Sequence, residues 1–415
     1  MSIFQAPSFR LKRTMLVLVG LVLAGTQAAN TQTLATLYNF SGLRVDGFYP
    51  NGGLLFDGMG NLYGTTQGLG GGNCRKADFA CGTIFKLAPN GNETTLFAFA
   101  AGVNAYPRAG LIADAQGNFY GTTFGTGGPT SLDGTAFRLK KQKTVKRLHI
   151  FRGNRVQPGD GAFPAASLVM DSQGNLFGTT SSGGSGFGTV FEVSSGGVET
   201  IVHTFAATDG ANAYGGLIFD DHGNLYGTTV NGGATGDGTV FKITPTGAVT
   251  VLHSFIGADG QFPLGTLVQD KSGNFYGVTE GGGIFGLGTV FKIDASGEET
   301  VLYNFSGVPD GNFPFGGLVV DAQGDLYGST ADGGHVTASC SGGCGTVFKL
   351  TPAGKETILY NFCSQANCTD GYHPTGNLTF DAQGNLYGAT LYGGTGQCHI
   401  GSTITGCGTI FKVTP

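Results

Sequence analysis

Residues 316–362 read GGLVVDAQGDLYGSTADGGHVTASCSGGCGTVFKLTPAGKETILYNF, and most of the chain is a variation on them. Four short apolar runs stand in this stretch: Gly316–Asp321, Gly324–Thr330, Gly345–Thr351 and Glu356–Phe362. Gly, Pro, Asp, Asn or Ser bounds each run, which is how strands and tight turns are written. Four strands in about fifty residues, repeated along a chain, are the unit of a β-propeller blade.

The second-run signature, Gly-Asn-Leu-Tyr-Gly-Thr-Thr or a variant, begins at Gly60, Gly117, Gly174, Gly223, Gly273, Gly324 and Gly384. The third, Gly-Thr-Val-Phe-Lys or a relative, begins at Gly82, Gly134, Gly188, Gly238, Gly288, Gly345 and Gly408. These units predict an all-β, seven-bladed propeller of four-stranded blades, over residues 52–99, 109–151, 166–205, 215–255, 265–305, 316–362 and 376–414. Leu37-Tyr-Asn-Phe40 repeats Leu302–Phe305 and Leu359–Phe362, which are fourth strands, whereas Gly408–Thr414 is a third strand. Residues 33–40 are therefore expected to pair with Gly408–Thr414 and complete blade seven, since an open ring would leave strand edges unpaired.

Of 415 residues, 77 are Gly, none is Trp and 12% are charged, with a net charge of −5. The Gly content has no collagen period, and 40% apolar residues argue against disorder. The charge gives no basic footprint for nucleic acid. Arg10, Lys12 and Arg13 precede a short apolar core, Met15–Ala24, and small residues near Ala28. This layout predicts a cleaved export signal over residues 1–29, leaving one mature domain, 30–415. The apolar core is about ten residues against roughly twenty for a span, so no membrane span is expected after cleavage. An uncleaved anchor is the alternative. The expected location is secreted, periplasmic or cell surface.

The eight Cys fall in close pairs: Cys74/Cys81, Cys340/Cys344, Cys363/Cys368 and Cys398/Cys407. In an exported chain such pairs predict disulfides within loops. Metal binding would bring more His or Cys at ligand spacing, so no metal site and no cofactor are expected.

The Gly223–Thr229, Gly232-Gly233 and Gly238–Lys242 elements, recurring over the mature chain, resemble the GloVer tandem repeats of exported, choice-of-anchor proteins. The resemblance implies export and a repeat architecture, and brings no catalytic residues. Such proteins typically end in an anchoring segment, whereas this sequence ends at Pro415, which favours a soluble form, expected to be a monomer.

A residue present in every unit builds the unit; function is sought where one unit departs. Thr66, Thr123, Thr180, Thr229, Thr279, Thr330 and Thr390 recur throughout and read as structural. Asp46, Asp160, Asp209, Asp259, Asp310 and Asp370 recur before Gly in the interblade loops, as turn residues rather than a calcium ring. His149, His203 and His253 replace a fourth-strand Tyr, and His373 an aromatic before the interblade Pro, so an aromatic-sized slot accounts for them. His335 and His399 have no counterparts and stay open. The one basic run, Lys140 to Arg147, is read as a solvated surface, with contact to an acidic glycan or lipid as the alternative.

After the interblade Pro, replaced by Ala213 in blade four, the residue differs in every unit: Asn51, Arg108, Ala165, Tyr214, Leu264, Phe315, Thr375. With the first strand innermost, these side chains would ring the mouth of the central channel. Arg108, Tyr214 and Phe315 would supply a cation beside stacking surfaces, with Asn51 alongside and Glu280 as the nearest carboxylate without a counterpart. A position that tolerates any residue would vary in the same way. The function expected is a scaffold binding an extracellular glycan, peptide or surface protein. The alternative is an extracellular polysaccharide hydrolase or lyase. Glycoside hydrolysis generally needs two carboxylates, and no unmatched pair is evident.

Overall fold

A computed structural model of the chain describes residues 32–42, 46–68, 81–99, 106–125, 133–140, 144–155, 159–400 and 403–415. Blade four shows the repeated plan: Ile218–Phe219, Leu225–Thr229, Thr239–Ile243 and Val249–Ser254 lie side by side in chain order, all antiparallel. The same spatial order recurs in all seven blades, in chain order in six of them. Two one-turn 3-10 segments, Gly153–Arg155 and Ala366–Cys368, are the helical residues among those described. No described helix is long and apolar enough to cross a membrane.

Aromatic packing joins each blade to the next. The Phe that follows the fourth strand is fully buried and meets the third-strand Phe of the following blade edge to face. The pairs are Phe40–Phe85, Phe99–Phe137, Phe151–Phe191, Phe205–Phe241, Phe255–Phe291, Phe305–Phe348 and Phe362–Phe411, with centroids 4.8–5.4 Å apart. Each such pair contributes about 0.5–1.5 kcal/mol beyond the area it buries. The Gly of Tyr-Gly-Thr makes room for the third-strand ring: a Cβ on Gly64 would lie 2.6 Å from Phe85 Cζ.

The recurrent threonines hold each blade together at its upper end. Thr66, Thr123, Thr180, Thr229, Thr279, Thr330 and Thr390 share a hydrogen bond of 2.8–2.9 Å with the first Thr of the third strand, and all are fully buried. Their structural role is thereby physical: each hydroxyl's partner is another buried hydroxyl, so neither is left unsatisfied.

Thr33–Asn39 pairs antiparallel with Thr409–Thr414, from Thr33 opposite Thr414 to Asn39 opposite Thr409, with one bulge. The N-terminal strand thus completes blade seven, and Phe40 carries the aromatic contact across to Phe85 of blade one.

The innermost strand departs from expectation. The segment from the interblade Asp to the Pro reads as a loop between blades, yet in blades one, six and seven its second half already pairs with the second strand. Phe48–Pro50, Gly311–Pro314 and Tyr372–Pro374 are short strands of this kind, so the blades begin several residues before 52, 316 and 376. The cause is the residue before the Pro. Tyr49, Tyr106, Phe163, Asn212, Phe262, Phe313 and His373 all have φ between +53° and +75°, a region costly for side chains of this size. Their amides donate, at 2.6–3.1 Å, to the residue that precedes Gly-Thr in the blade before: Cys407, Cys81, Asp133, Phe187, Asp237, Leu287 and Cys344. The bend stitches neighbouring blades, and the residue two further on lines the axial cavity.

Cystines join Cys340 to Cys344, Cys363 to Cys368 and Cys398 to Cys407, each within one loop. Cys74, expected to pair with Cys81, lies outside the described residues, as do the export signal, Lys141 and Lys143.

Candidate functional site

Around the axis the innermost strands approach closely, and five of the seven blades have Gly directly after the residue at the mouth, with Ala109 and Ala166 in the other two. A Cβ on Gly52 would lie 2.5 Å from the Ala109 carbonyl carbon, and one on Gly316 2.6 Å from the Gly376 oxygen. Above this neck opens a cavity of about 430 Å³, within the usual range for small-ligand sites. The seven mouth residues, Asn51, Arg108, Ala165, Tyr214, Leu264, Phe315 and Thr375, all line it, as does Glu280. Gln67 and Leu391, which occupy the position of Glu280 in their own blades, line it too.

Arg108 is held from behind. Its guanidinium lies 4.3 Å from the centre of the Phe124 ring and 5.0 Å from that of Tyr106, a cation–π arrangement that fixes the group without neutralising it. Its Nε is buried and has no hydrogen-bond partner among the described residues. Phe315 is 37% exposed, an apolar ring left open to solvent at the mouth. Burial raises the Glu280 carboxyl above its ordinary range. The Thr375 hydroxyl donates to Asn51 Oδ1, tying the blade-seven and blade-one members of the ring together.

His373 occupies the aromatic slot, with the positive φ of its counterparts and its ring 5.7 Å from that of Tyr392, and adds a polar contact there. It lines the cavity, and its Nδ1 lies 3.1 Å from Asp332 Oδ1 in a loop of blade six. The signal in the sequence was the imidazole itself, since every other blade has Tyr, Phe or Asn there.

The interblade aspartates lie away from the mouth. Asp46, Asp160, Asp209, Asp259, Asp310 and Asp370 each accept a backbone N–H from the turn leaving the preceding fourth strand, at 2.7–2.9 Å. Each also faces the Tyr or His of that strand, at 2.7–3.2 Å. The turn assignment stands, while the slot held by His149, His203 and His253 is more than aromatic-sized. It calls for a ring that can donate to a carboxylate, which Tyr and His both are.

A third member of these seams was missed. Glu93, Glu199, Glu299 and Glu356, four residues before the Tyr, His or Phe of their own strands, reach back to the aspartate of the preceding blade. The recurrent Glu-Thr after the third hairpin was the available signal. Burial pushes the carboxyls of Glu93, Glu299 and Glu356 up to about 7, and the neighbouring Asp46, Asp259 and Asp310 add to the rise.

Of the remaining candidates, His335 is exposed and contributes its carbonyl to the Cys344 amide. Lys146 and Arg147 are exposed on the outer strand of blade two.

A family model described as the Gloeobacter/Verrucomicrobia repeat matches residues 20–186, 75–272 and 258–415. No curated protein matches the sequence. Among solved structures, one described as the extracellular domain of a hybrid two-component system from B. thetaiotaomicron is 14% identical, with a TM-score of 0.55. The match covers 92% of this chain and 41% of that one. A second extracellular domain from the same organism is 11% identical with a TM-score of 0.57, covering 92% and 39%. This chain thus spans about two fifths of their length. A protein described as a 6-phosphogluconolactonase from Bacteroides uniformis is 15% identical with a TM-score of 0.51, covering 80% and 95%. At these identities the likeness concerns the fold.

Proposed function

The chain belongs to the Gloeobacter/Verrucomicrobia repeat family, and we propose that it is an exported scaffold that binds an extracellular ligand at its channel mouth. One observation carries this: the positions that differ in every blade converge on a single cavity. The ligand class that fits is the end of a glycan bearing a carboxylate. Arg108 pairs with the anion, Tyr214 and Phe315 stack on the ring, and Asn51 takes a hydroxyl. The cystines within loops support an oxidising compartment outside the cytoplasm.

The hydrolase or lyase alternative gains little from the geometry. Glu280 is the one carboxylate among the cavity-lining residues, and retaining or inverting hydrolysis generally takes two. The test is a glycan array probed with the mature protein, followed by titration of Arg108→Ala and Tyr214→Ala against the best hit. Selective capture of uronic- or sialic-acid-terminated glycans, weakened in both variants, is expected. Capture that neither substitution alters would place the site elsewhere.

A further inference from the structure

Two seams between blades bring together an imidazole and two carboxylates. Nε2 of His149, a carboxylate oxygen of Asp160 and one of Glu199 all lie within 4.8 Å of one another; so do the corresponding atoms of His253, Asp259 and Glu299. In each case the His ends blade two or four, the Asp stands in the following interblade turn, and the Glu begins the fourth strand of the next blade. His149 Nε2 is 3.2 Å from Asp160 Oδ2, and His253 Nε2 is 3.0 Å from Asp259 Oδ2. Tetrahedral zinc with bonds of about 2.1 Å sets its ligand atoms roughly 3.4 Å apart, and it takes imidazole nitrogen together with carboxylate oxygen.

An independent observation singles out the Glu. Oε1 of Glu199 and Oε1 of Glu299 are buried with no hydrogen-bond partner among the described residues, although each lies in a seam otherwise satisfied. A buried carboxylate oxygen without a partner is costly. A shared cation would satisfy it and offset the repulsion between the two acids.

We infer that the seams His149–Asp160–Glu199 and His253–Asp259–Glu299 are zinc sites, each clamping one blade to the next. Three protein ligands leave a fourth position for water. The molecule contains its own controls. His203–Asp209 has the imidazole and the aspartate, but Val249 stands where the Glu would be. Tyr303–Asp310–Glu356 has both acids and an unpartnered Glu356 Oε1, with a phenol in place of the imidazole. Neither offers the full ligand set.

The experiment is equilibrium dialysis of the oxidised, chelator-stripped full chain against zinc, with bound metal counted by elemental analysis. Two equivalents are expected. His149→Tyr and His253→Tyr, which install the residue that blades five and six carry at this position, should each remove one equivalent, and the double variant both. Glu199→Gln and Glu299→Gln provide a second route to the same loss, and His203→Tyr should leave two equivalents bound. Fewer than a tenth of an equivalent in the parent chain, or full zinc in the folded double variant, would overturn the assignment.

Discussion

Two rings of side chains run round the propeller: one ends the second strands, the other lines the mouth, and they come within one residue of each other where the second strand ends. Thr279 belongs to the first, Glu280 borders the second. The first ring is the same hydroxyl pair seven times over, fully buried. The second, at the mouth, holds a cation, a carboxylate, aromatics, an aliphatic and small polar groups. The difference lies in what each position faces. A threonine between two strands meets the same partner in every blade, so any other residue leaves a buried donor unmet. A mouth residue meets the cavity, and the fold places no demand on it.

That contrast breaks first if scaffold and mouth prove interchangeable in stability. Phe40 links the closing strand to Phe85, and Phe40→Ala is expected to cost about 3–5 kcal/mol. Deleting residues 33–40 should cost more and expose the edge of Thr409–Thr414, giving aggregation visible by size-exclusion chromatography and a collapsed thermal transition. An unshifted transition in the deletion would show that ring closure contributes nothing.

At the mouth the effect should appear in binding alone. Arg108→Ala and Tyr214→Ala should each weaken the ligand by about 2 kcal/mol, roughly thirtyfold, measured by calorimetry. Their melting temperatures should stay close to the parent's, and Ala165→Ser should change neither quantity.

Adjacent residues sharpen the contrast further. Thr279→Val leaves the Thr289 hydroxyl without its partner and should cost about 1 kcal/mol in denaturant titration. Glu280→Gln, one residue on, should leave the same titration nearly unchanged.

The smallest effect concerns pH. Glu356 faces Asp310 and Tyr303, and its carboxyl is raised from the ordinary 4.5 to about 7 in the folded chain. A raised acid binds its proton more tightly when folded, so its contribution to stability is full below 4.5 and lost as pH climbs through 7. The melting temperature should therefore fall between pH 5.5 and 8.5, and Glu356→Gln should flatten that fall. A steeper slope in the variant would mean that the local field has been misjudged.

The fold was legible because the blades constrain one another through short, repeated contacts. Gly-Thr-Val-Phe-Lys states a third strand, the ring that receives the Phe of the preceding blade and the Thr that closes the pair. Ring closure was legible from phase, since Leu37–Phe40 matches a fourth strand that the last unit lacks. What stayed hidden depended on contacts between units. The bend at Tyr49 and its equivalents arises from a bond to the preceding blade, which no local propensity encodes; an aromatic before Pro reads as ordinary extended chain. His373 looked like one more ring until Asp332, from another blade, came within 3.1 Å. Glu199 and Glu299 went unremarked in the sequence, because their partners lie a blade away.

The closing strand has a consequence for how the protein is made. Thr33–Asn39 is the first strand of the ring to leave the ribosome, and its partner, Thr409–Thr414, is the last. Throughout synthesis and translocation that strand waits unpaired, while six blades can each assemble from neighbouring sequence. Sealing the circle is the contact of greatest sequence separation, and such contacts form slowly because the loop entropy is spent before they reward it. A chain halted short of blade seven would carry a solitary β-strand at one end and an uncovered sheet at the other, a form that quality-control proteases can recognise.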